Sequence, residues 1–542
     1  MTADERILAE LGYKQEFKRE FSTFSTAAFC FSIMGVLASF SSTLIYPLSY
    51  GGHVGMVWGW FTASCFVMCV ALSLAELCSA MPTSGGVYFW SARLAPPEYA
   101  PLASWLTGWC NLIGQVALVC SIDYTCADMI SDAVSVGSDF TTFYSTELRY
   151  CIFLALLVGH GLLCSSPTRV TAKLNVMYVF INLAGVLATI VCLAALGTKV
   201  PGSVAFGEFQ NNSTYSSNGF AWLLSMTAAM WSLTGYDCAS HIAEETSNAS
   251  KSGAIAIISA VAGTAGFGWI LSIVTSFVID DPSKVLESPL SLPAAQVFYD
   301  VLGKRGMLAL WSVIAWVQFN TAATQTTDAS RVFYAFARDG ALPFSGFISS
   351  VNRFTQTPVN ATWVTVVCSA ILGLLTLQST AGLALFSTAV IGLYVSYVIP
   401  VAFRISSYGR RHFRPGAWHM GKASVYVGSV ACLWVAFIVV ILLFPANPGP
   451  SPQDMNWSVL ILGLILLSSY AWWFFSAHKW YKGPIGNLSA HNPVEPTEET
   501  RSVQASPVAA NTFVHAETKA AEKASQEEAE SKYSVTLEPY HA

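Results

Sequence analysis

Charged residues are scarce in this chain. They make up 11% of its 542 residues, whereas a soluble domain carries roughly 25%. So few charges cannot cover the water-facing surface of a protein this long, and 54% of the residues are hydrophobic. The formal net charge of −5 provides no basic surface, so we expect no nucleic-acid partner. The composition therefore indicates an integral membrane protein that has the lipid bilayer as its solvent.

The sequence also lacks the motifs of common enzyme and metal sites. It has no P-loop, no His-Glu-x-x-His motif and no Gly-x-Ser-x-Gly elbow, so an ATP-driven pump or a hydrolase is not expected. The thirteen cysteines form no Cys-x-x-Cys pair, and most lie inside apolar runs, where they act as small packing residues. We therefore expect a protein that is not an enzyme and uses no metal or other cofactor.

Long apolar runs dominate what is present. A membrane helix needs about 20 mainly apolar residues, because the hydrocarbon core is about 30 Å thick. The sequence contains twelve such runs: 24–48, 54–79, 103–134, 150–166, 172–196, 220–243, 253–279, 306–336, 358–378, 381–404, 424–444 and 457–478. Since no small-residue cleavage site follows the charged residues 1–22, we expect the first run to be retained.

Basic residues predict the orientation of these helices. With the N-terminus in the cytoplasm, eighteen of the 27 Lys and Arg residues fall in cytoplasmic segments, five in external loops and four in the C-terminal tail. This asymmetry follows the positive-inside rule. We predict a cytoplasmic segment over 1–22, a twelve-helix domain over 23–480 and a disordered cytoplasmic tail over 484–542, which is rich in Ala, Ser, Thr and Glu.

The first predicted helix contains a glycine and several hydroxyl side chains, among them Gly35, Ser39, Ser41 and Ser42. A span interrupted in this way can unwind and offer free N–H groups to an anion such as a carboxylate. The same small residues could instead form a stripe for close helix packing. On these residues alone both interpretations stand.

The sixth predicted helix has a similar interruption over 232–237, which ends in Asp237. A carboxylate at membrane depth is costly unless it meets a cation or a proton. Binding of a ligand ammonium and proton carriage are therefore its natural roles, with a structural hydrogen bond to a neighbouring helix as the alternative. His241 lies four residues further on the same face; it could tune Asp237, but we interpret it as a packing histidine.

The third helix places Gln115 and Asp123 at membrane depth. Asp123 is a second candidate for a titrating or cation-binding acid, and a structural role is the alternative. His160 in the fourth helix is interpreted as a hydrogen-bonded packing residue.

The eighth helix carries the most polar face of all. Asn320, Thr324 and Asp328 recur every four residues, with Arg331 three further on, so they share one side of the helix. A stripe this polar cannot face lipid. We predict that Asn320 and Thr324 line a cavity and that Asp328 pairs with Arg331 at the cytoplasmic end.

Several motifs resemble those of a known family. They are 10–19 (ELGYKQEFKR), 31–35 (FSIMG), 76–90 (ELCSAMPTSGGVYFW), 105–115 (WLTGWCNLIGQ), 235–237 (GYD) with 244–245 (EE), and 330–343 (SRVFYAFARDGALP) leading to 357–360 (TPVN). Together they resemble the amino acid–polyamine–organocation transporters, and most of all the fungal branch of amino acid, choline and GABA permeases. The resemblance covers about residues 8–480.

The resemblance implies an all-α fold of twelve transmembrane helices in a five-plus-five inverted repeat, with helices 1 and 6 broken around a substrate site near mid-membrane. It places a substrate carboxylate at 35–39 and an ammonium at the carbonyls of 233–237. The loop 82–90 is implied to be a cytoplasmic structural and gating element. The sequence departs from the family in having Asn182 near the position where some relatives carry a fifth-helix lysine.

Inner-gate ion pairs are also implied by the resemblance, from Glu244 and Glu245 and from Arg338 and Asp339. The expected substrate contacts are Gly35, Ser39, Ser41, Ser42, Leu233, Thr234, Gly235, Tyr236, Asp237, Gln115, Asn320 and Thr324. Asp237, with Asp123 behind it, is expected to carry the coupling proton.

We therefore expect a permease for an amino acid or a related amine such as GABA, coupled to protons and working by alternating access, in the plasma membrane more readily than in the vacuolar membrane. A choline or polyamine permease is one alternative, and Tyr46, Trp231 and Tyr236 are aromatic residues available to a quaternary ammonium. A non-transporting nutrient sensor of the same fold is the other.

Overall fold

A computed structural model describes residues 2–445, 449, 455–484 and 486, without the side chains of 379–383. Within these residues the secondary structure is helical, and the only β contact is an isolated bridge between Phe21 and Thr246. The predicted all-α fold is confirmed. The predicted tail over 484–542 lies, apart from Pro484 and Gly486, outside the described residues.

Eleven helices in the described part of the chain are long and apolar enough to cross a membrane. They are α1 (Thr23–Thr43), α2 (Gly52–Ala80), α3 (Ala100–Gly137), α4 (Thr146–Cys164), α5 (Thr168–Leu196), α7 (Ala249–Val278), α8 (Pro293–Arg338), α9 (Val359–Leu377), α10 (Ala384–Ile405), α11 (Ala423–Leu442) and α12 (Trp457–Trp480). The protein is therefore a multi-pass membrane protein.

The sixth predicted span is absent from those eleven because it is interrupted. This segment, α6, consists of the short helices Asn218–Ser225, Thr227–Ser232 and Cys238–His241. Each is too short to cross a bilayer by itself. The count of twelve spans and the five-plus-five repeat stay predictions, whereas the predicted breaks in the first and sixth segments are present.

The break in α1 is set by Gly35. This residue has φ +43° and separates the helices Thr23–Met34 and Val36–Thr43. The left-handed conformation is costly for any residue with a Cβ. A Cβ at Gly35 would also lie 2.2 Å from Thr321 Oγ1 on α8. Glycine therefore allows both the turn and the close contact between α1 and α8.

The break in α6 has a glycine of its own. Gly235 has φ +87°, and a Cβ there would lie 2.7 Å from Ile33 Cγ2, in the half of α1 that precedes its break. The two interruptions therefore meet across the core of the bundle.

Small residues also bring α3 against α10. A Cβ on Gly392 would lie 3.0 Å from the Cα of Gly114, and a Cβ on Gly114 would lie 2.8 Å from the backbone nitrogen of Leu393. Backbones approach this closely in membrane bundles where small residues line the contact. The contact places the polar side chains of α3 and α10 beside the break in α6.

The segment before α1 packs on the end of the bundle where α1 begins and α8 ends. We call this the inner end, because the distribution of basic residues predicts that it faces the cytoplasm. The Phe21 N–H donates to the Glu245 carbonyl at 3.0 Å, and the Ser247 N–H donates to the Phe21 carbonyl at 2.9 Å. The Arg19 guanidinium donates to the Ala243 carbonyl at 3.2 Å and to the Thr246 carbonyl at 2.5 Å. The N-terminal segment therefore covers the chain that follows α6.

Candidate functional site

The α1 break leaves buried backbone groups without partners. Among the described residues, nothing accepts a hydrogen bond from the N–H groups of Val36, Leu37 and Ala38, and nothing donates to the carbonyls of Ser32 and Ile33. All five residues are buried. The free N–H groups begin a helix, so they carry its positive end and suit an anion such as a carboxylate.

The serines predicted to bind substrate are already bonded within α1. Ser39 Oγ donates to the Met34 carbonyl at 2.6 Å, and Ser41 and Ser42 donate to the carbonyls of Leu37 and Ala38, both at 2.8 Å. Such bonds to carbonyls of the same helix are usual for serine in an apolar helix. These hydroxyls are therefore engaged by backbone carbonyls of α1. The groups that the α1 break leaves available to a ligand belong to its backbone.

Asp237 is the charged residue of the α6 break. Its side chain is fully buried, with Oδ1 accepting from the Tyr397 hydroxyl at 2.5 Å and Oδ2 from Asn111 Nδ2 at 2.9 Å. The Gly235 N–H donates to the same Tyr397 hydroxyl at 3.3 Å. Side chains of neighbouring helices therefore hold both oxygens of the carboxyl group. The hydrogen bond to a neighbouring helix, which is the alternative interpretation of Asp237, is thus present, from α3 and from α10.

Carbonyl groups complete the α6 break. The Leu233 carbonyl accepts from the Tyr394 hydroxyl at 3.3 Å, and Thr234 Oγ1 donates to the Met230 carbonyl at 2.5 Å. In the part of the chain described, the carbonyls of Ser232, Thr234 and Tyr236 receive no hydrogen bond. Free carbonyls next to a buried carboxyl group suit an ammonium group.

The sequence reasoning missed the partners of Asp237. Asn111 lies four residues before Gln115, so polar spacing inside an apolar run could have found it. Tyr397 had no such signal, because a tyrosine in an apolar helix resembles a packing aromatic until its neighbours are known.

His241 lies between two carboxylates. Its Nδ1 is 2.8 Å from Asp328 Oδ1 on α8, and its Nε2 is 3.6 Å from Asp237 Oδ2. The predicted pair of Asp328 with Arg331 is wrong: Arg331 Nε donates to Glu245 Oε1 at 2.9 Å. The longer arginine side chain reaches the chain beyond α6, whereas the shorter carboxylate faces α6 directly. The interpretation of His241 as a packing histidine did not foresee this bridge.

The other predicted residues on α3 and α8 differ in their partners. Gln325 Nε2 on α8 donates to Gln115 Oε1 on α3. Thr324 Oγ1 donates to Asn175 Oδ1 on α5 at 2.7 Å. The side-chain nitrogen and oxygen of Asn320 are both buried, and neither has a partner among the described atoms. Asn320 therefore retains its full hydrogen-bonding capacity for a ligand or water.

Asp123 faces α4. Its Oδ1 lies 2.8 Å from His160 Nδ1, and both side chains are fully buried. The Phe319 ring packs against the imidazole with centroids 4.4 Å apart. Asp123 therefore lies beside a histidine, as Asp237 does. Asn182, at the position of the family's fifth-helix lysine, is buried with Oδ1 unpartnered among the described atoms.

Ion pairs close the inner end. Arg338 Nη1 lies 3.0 Å from Glu244 Oε2, and Glu245 pairs with Arg331 while accepting from Thr168 Oγ1 at 2.7 Å. The predicted gating loop takes part, because the Ser84 N–H donates to Glu244 Oε1 at 3.1 Å. The pairing that the resemblance implied for Glu244 and Glu245 is therefore made with arginines of α8.

Asp339 is the carboxylate next to these pairs. It accepts from the hydroxyls of Tyr88 at 2.8 Å and Tyr13 at 3.0 Å, and Arg338 Nε is 3.9 Å away. Burial raises the pKa of Asp339 to about 6, against the opposing effect of Arg338. Burial, together with the charge of Asp339, also raises the pKa of Tyr13 above its ordinary value, so the tyrosine hydroxyls act as donors.

Comparison with known proteins gives one consistent family. The family model described as "Amino acid permease" matches residues 21–466. An uncharacterised amino-acid permease of Schizosaccharomyces pombe is 39% identical over 489 residues, which are 90% of each chain. The amino-acid permease BAT1 of Arabidopsis thaliana is 37% identical over 89% of this chain and 96% of its own. The GABA-specific permease of Saccharomyces cerevisiae is 36% identical over 90% of this chain and 86% of its own.

Proposed function

Because this chain belongs to the amino acid permease family, we propose that it carries an amino acid or a related amine such as GABA across the membrane by proton-coupled alternating access. It is a transporter and not an enzyme. The name of the yeast relative, a GABA-specific permease, motivates GABA as the first compound to test.

One observation carries the proposal: the two breaks offer opposite charges. The free N–H groups of Val36, Leu37 and Ala38 suit a carboxylate. The free carbonyls of the α6 break and the buried Asp237 suit an ammonium group. An amino acid carries both groups, so a single molecule can satisfy both breaks.

Proton coupling is proposed for Asp237, with Asp123 as the second acid. Both carboxylates are fully buried inside a bundle that spans the bilayer. An ionised carboxylate at that depth needs a compensating cation, which can be the substrate ammonium or a proton. Exchange between these two cations is a direct way to couple their movements.

Alternating access is supported by the closed inner end. Two buried ion pairs, Arg338 with Glu244 and Arg331 with Glu245, join α8 to the chain that follows α6. They must separate before a substrate at the breaks can leave toward the cytoplasm. We further propose that both termini are cytoplasmic and that the protein resides in the plasma membrane.

Choline is less well matched than an amino acid. Tyr46 and Trp231 both pack on Phe386, with ring centroids 6.0 Å and 5.0 Å apart. Tyr236 packs instead against Tyr397 at 5.1 Å. The three aromatics named from the sequence therefore do not enclose one cation, as an aromatic cage requires.

Counterflow in proteoliposomes tests the proposal. The purified protein is reconstituted and assayed with labelled amino acids, GABA, choline and putrescine, with and without an inwardly directed proton gradient. We expect exchange of an amino acid or GABA, and accumulation only with the gradient. Flux of choline or putrescine alone would contradict the substrate, and accumulation without dependence on the gradient would contradict the coupling.

Removal of residues 484–542 separates a transporter from a nutrient sensor. A transporter retains uptake without this segment. A sensor shows no flux in either form and loses signalling on truncation, and that result would overturn the proposal.

A further inference from the structure

We propose that His241 relays the coupling proton from Asp237 at the α6 break to Asp328 on α8, and that Asp328 releases it at the inner end. The proposal rests on the proton coupling proposed above. It assigns a role to two residues that substrate binding does not require.

The geometry of the three side chains forms a chain of two links. His241 Nδ1 is within hydrogen-bond distance of Asp328 Oδ1, at 2.8 Å. On the other side of the ring, Nε2 is 3.6 Å from Asp237 Oδ2, which is beyond a hydrogen bond. One link is thus closed and the other open. A movement of α6 by a few tenths of an ångström would close the second link.

Charge balance limits how many protons Asp237, His241 and Asp328 hold together. The three side chains are at most 1% exposed. Two ionised carboxylates beside a neutral imidazole leave two negative charges, which is costly at membrane depth, so one of the two acids holds a proton at each stage of the relay. Both oxygens of Asp237 accept hydrogen bonds from Asn111 and Tyr397, whereas Asp328 Oδ2 is buried without a partner among the described atoms. That oxygen is therefore free to take a proton that arrives at Asp328.

The surroundings of His241 contain few other ionisable groups. The helix Cys238–His241 packs against the first half of α1, against α7 and against α8. Gly86 of the loop 82–90 also lies against the ring, because a Cβ there would be 3.2 Å from His241 Nε2. α1 contributes the thiol of Cys30, 3.2 Å from Cys238 Sγ. α7 contributes no ionisable side chain there, because its one charged residue, Lys251, is exposed. α8 contributes Asp328 itself.

The chain that follows this short helix contributes only paired acids. Glu244 and Glu245 are held by Arg338 and Arg331. The two aspartates are therefore the unpaired acids that face His241 from the elements packed around it.

Asp328 lies next to an exit. It is one helical turn before Arg331, whose partner Glu245 belongs to the inner-end ion pairs. When those pairs separate to release substrate, water reaches the turn of α8 that carries Asp328. Substrate and proton would then leave through the same opening.

The transfer consists of two proton shifts. A proton on Asp237 Oδ2 passes to His241 Nε2, and the proton on His241 Nδ1 passes to Asp328 Oδ1. The imidazole gains one proton and loses one, Asp237 becomes ionised and Asp328 becomes neutral. Asp328 then gives its proton to water. The ring regains its first tautomer by losing the Nε2 proton to this water and taking a proton from it on Nδ1, so one proton crosses per cycle.

Replacement of the relay residues tests the proposal. His241→Gln and Asp328→Asn are compared with His53→Gln, which alters a buried histidine bonded to the Ser276 hydroxyl at 2.9 Å. Each protein is assayed in proteoliposomes for gradient-driven accumulation and for counterflow at equal pH, with the substrate found for the wild type. We expect both relay variants to lose accumulation by roughly ten-fold or more, with a flattened pH profile, and to keep counterflow within about three-fold. His53→Gln should keep both activities.

Each other outcome decides against the relay. If the wild type shows no gradient-driven accumulation, the proposed coupling itself fails. If the wild type is coupled and His241→Gln is equally coupled, the relay alone is wrong. Loss of counterflow in a monodisperse His241→Gln protein assigns the histidine a structural role.

Asp328→Glu covers the case in which His241→Gln does not fold. This variant keeps a carboxylate, so it should keep coupling that Asp328→Asn loses. Equal coupling in Asp328→Glu and Asp328→Asn would overturn the relay.

Discussion

The two breaks face each other but are built differently. The α1 break contains no ionisable side chain: Gly35 turns the backbone, and its serines bond to carbonyls of α1 itself. The α6 break contains Asp237, which is held by side chains from α3 and α10. The α1 break is determined by steric constraints within a short stretch of sequence. The α6 break is determined by hydrogen bonds that connect α6 with α3 and α10.

Under the proposed function, this difference would let one site bind a substrate and sense a proton. A helix N-terminus keeps its partial positive charge at any pH, so the α1 break can bind a carboxylate regardless of protonation. A carboxylate changes its charge when it takes a proton, so only the α6 break can exchange an ammonium for a proton. Mutations should therefore affect the two breaks in different ways.

Loss of the α6 charge should have the largest effect. Asp237→Asn removes the carboxylate that we propose exchanges an ammonium for a proton, so gradient-driven uptake should fall by roughly a hundred-fold or more, with normal surface expression. Asp300→Asn, the same change at an exposed position on α8, is the control for uptake. Normal pH-dependent uptake by Asp237→Asn would remove Asp237 from the coupling.

A side chain at the α1 break should have the second largest effect on uptake. Gly35→Ala places a Cβ in a left-handed conformation, at a cost of roughly 1–2 kcal/mol, and against Thr321. Uptake should fall about ten-fold, measured alongside Gly266→Ala, where a Cβ meets no atom within 4 Å.

A second variant separates the two causes in α1. Adding Thr321→Ala to Gly35→Ala removes the contacts at 2.2 and 3.1 Å and leaves the Cβ of residue 321 at 3.2 Å together with the backbone strain, so uptake should recover in part. If Gly35→Ala alone transports like the wild type, the break does not depend on glycine.

The inner end beyond α6 should respond to pH. Burial raises the pKa of Asp339 to about 6 from 3.8, so its ionised form is disfavoured in the folded protein. The contribution of Asp339 to stability should therefore be fully present below about pH 4 and be lost as the pH rises through 6, by about 3 kcal/mol.

The measurement is thermal unfolding of the purified protein in detergent from pH 4 to 7. Asp339→Asn has no carboxyl to ionise, so its unfolding temperature should vary less over this range. Equal pH dependence of the two proteins would exclude Asp339 as the source.

The smallest effect is expected at the serines of α1. The Ser41 hydroxyl donates to the Leu37 carbonyl of its own helix, and removing such a bond changes little beyond about 1 kcal/mol. Ser41→Ala should therefore keep uptake within about three-fold. A larger change in the apparent affinity for substrate would indicate that the hydroxyl binds the substrate directly.

Local features of this molecule could be predicted from sequence. Gly35 and the stretch 232–237 stood out because polar and small residues interrupt apolar runs, and both breaks are present. Asp237 stood out because a charge at membrane depth needs a reason.

Partners across helices could not be predicted in the same way. Helical periodicity gives the face on which a residue lies, but not which side chain of another helix meets it. Asp237 and Tyr397 are 160 residues apart, and no local pattern joins them. The predicted pairing of Asp328 with Arg331 was wrong for this reason. The spacing of residues along α8 does not show that His241 and Glu245 lie opposite them.

The central claim, that the amino group of the substrate binds at Asp237, is tested most directly by a double-mutant cycle with the ligand as one partner. Binding of the transported substrate and of its analogue without the amino group is measured on purified wild type and on Asp237→Asn. The account predicts that losing the amino group weakens binding to the wild type roughly ten-fold or more, and to Asp237→Asn by no more than about two-fold. An equal loss in both proteins would contradict it.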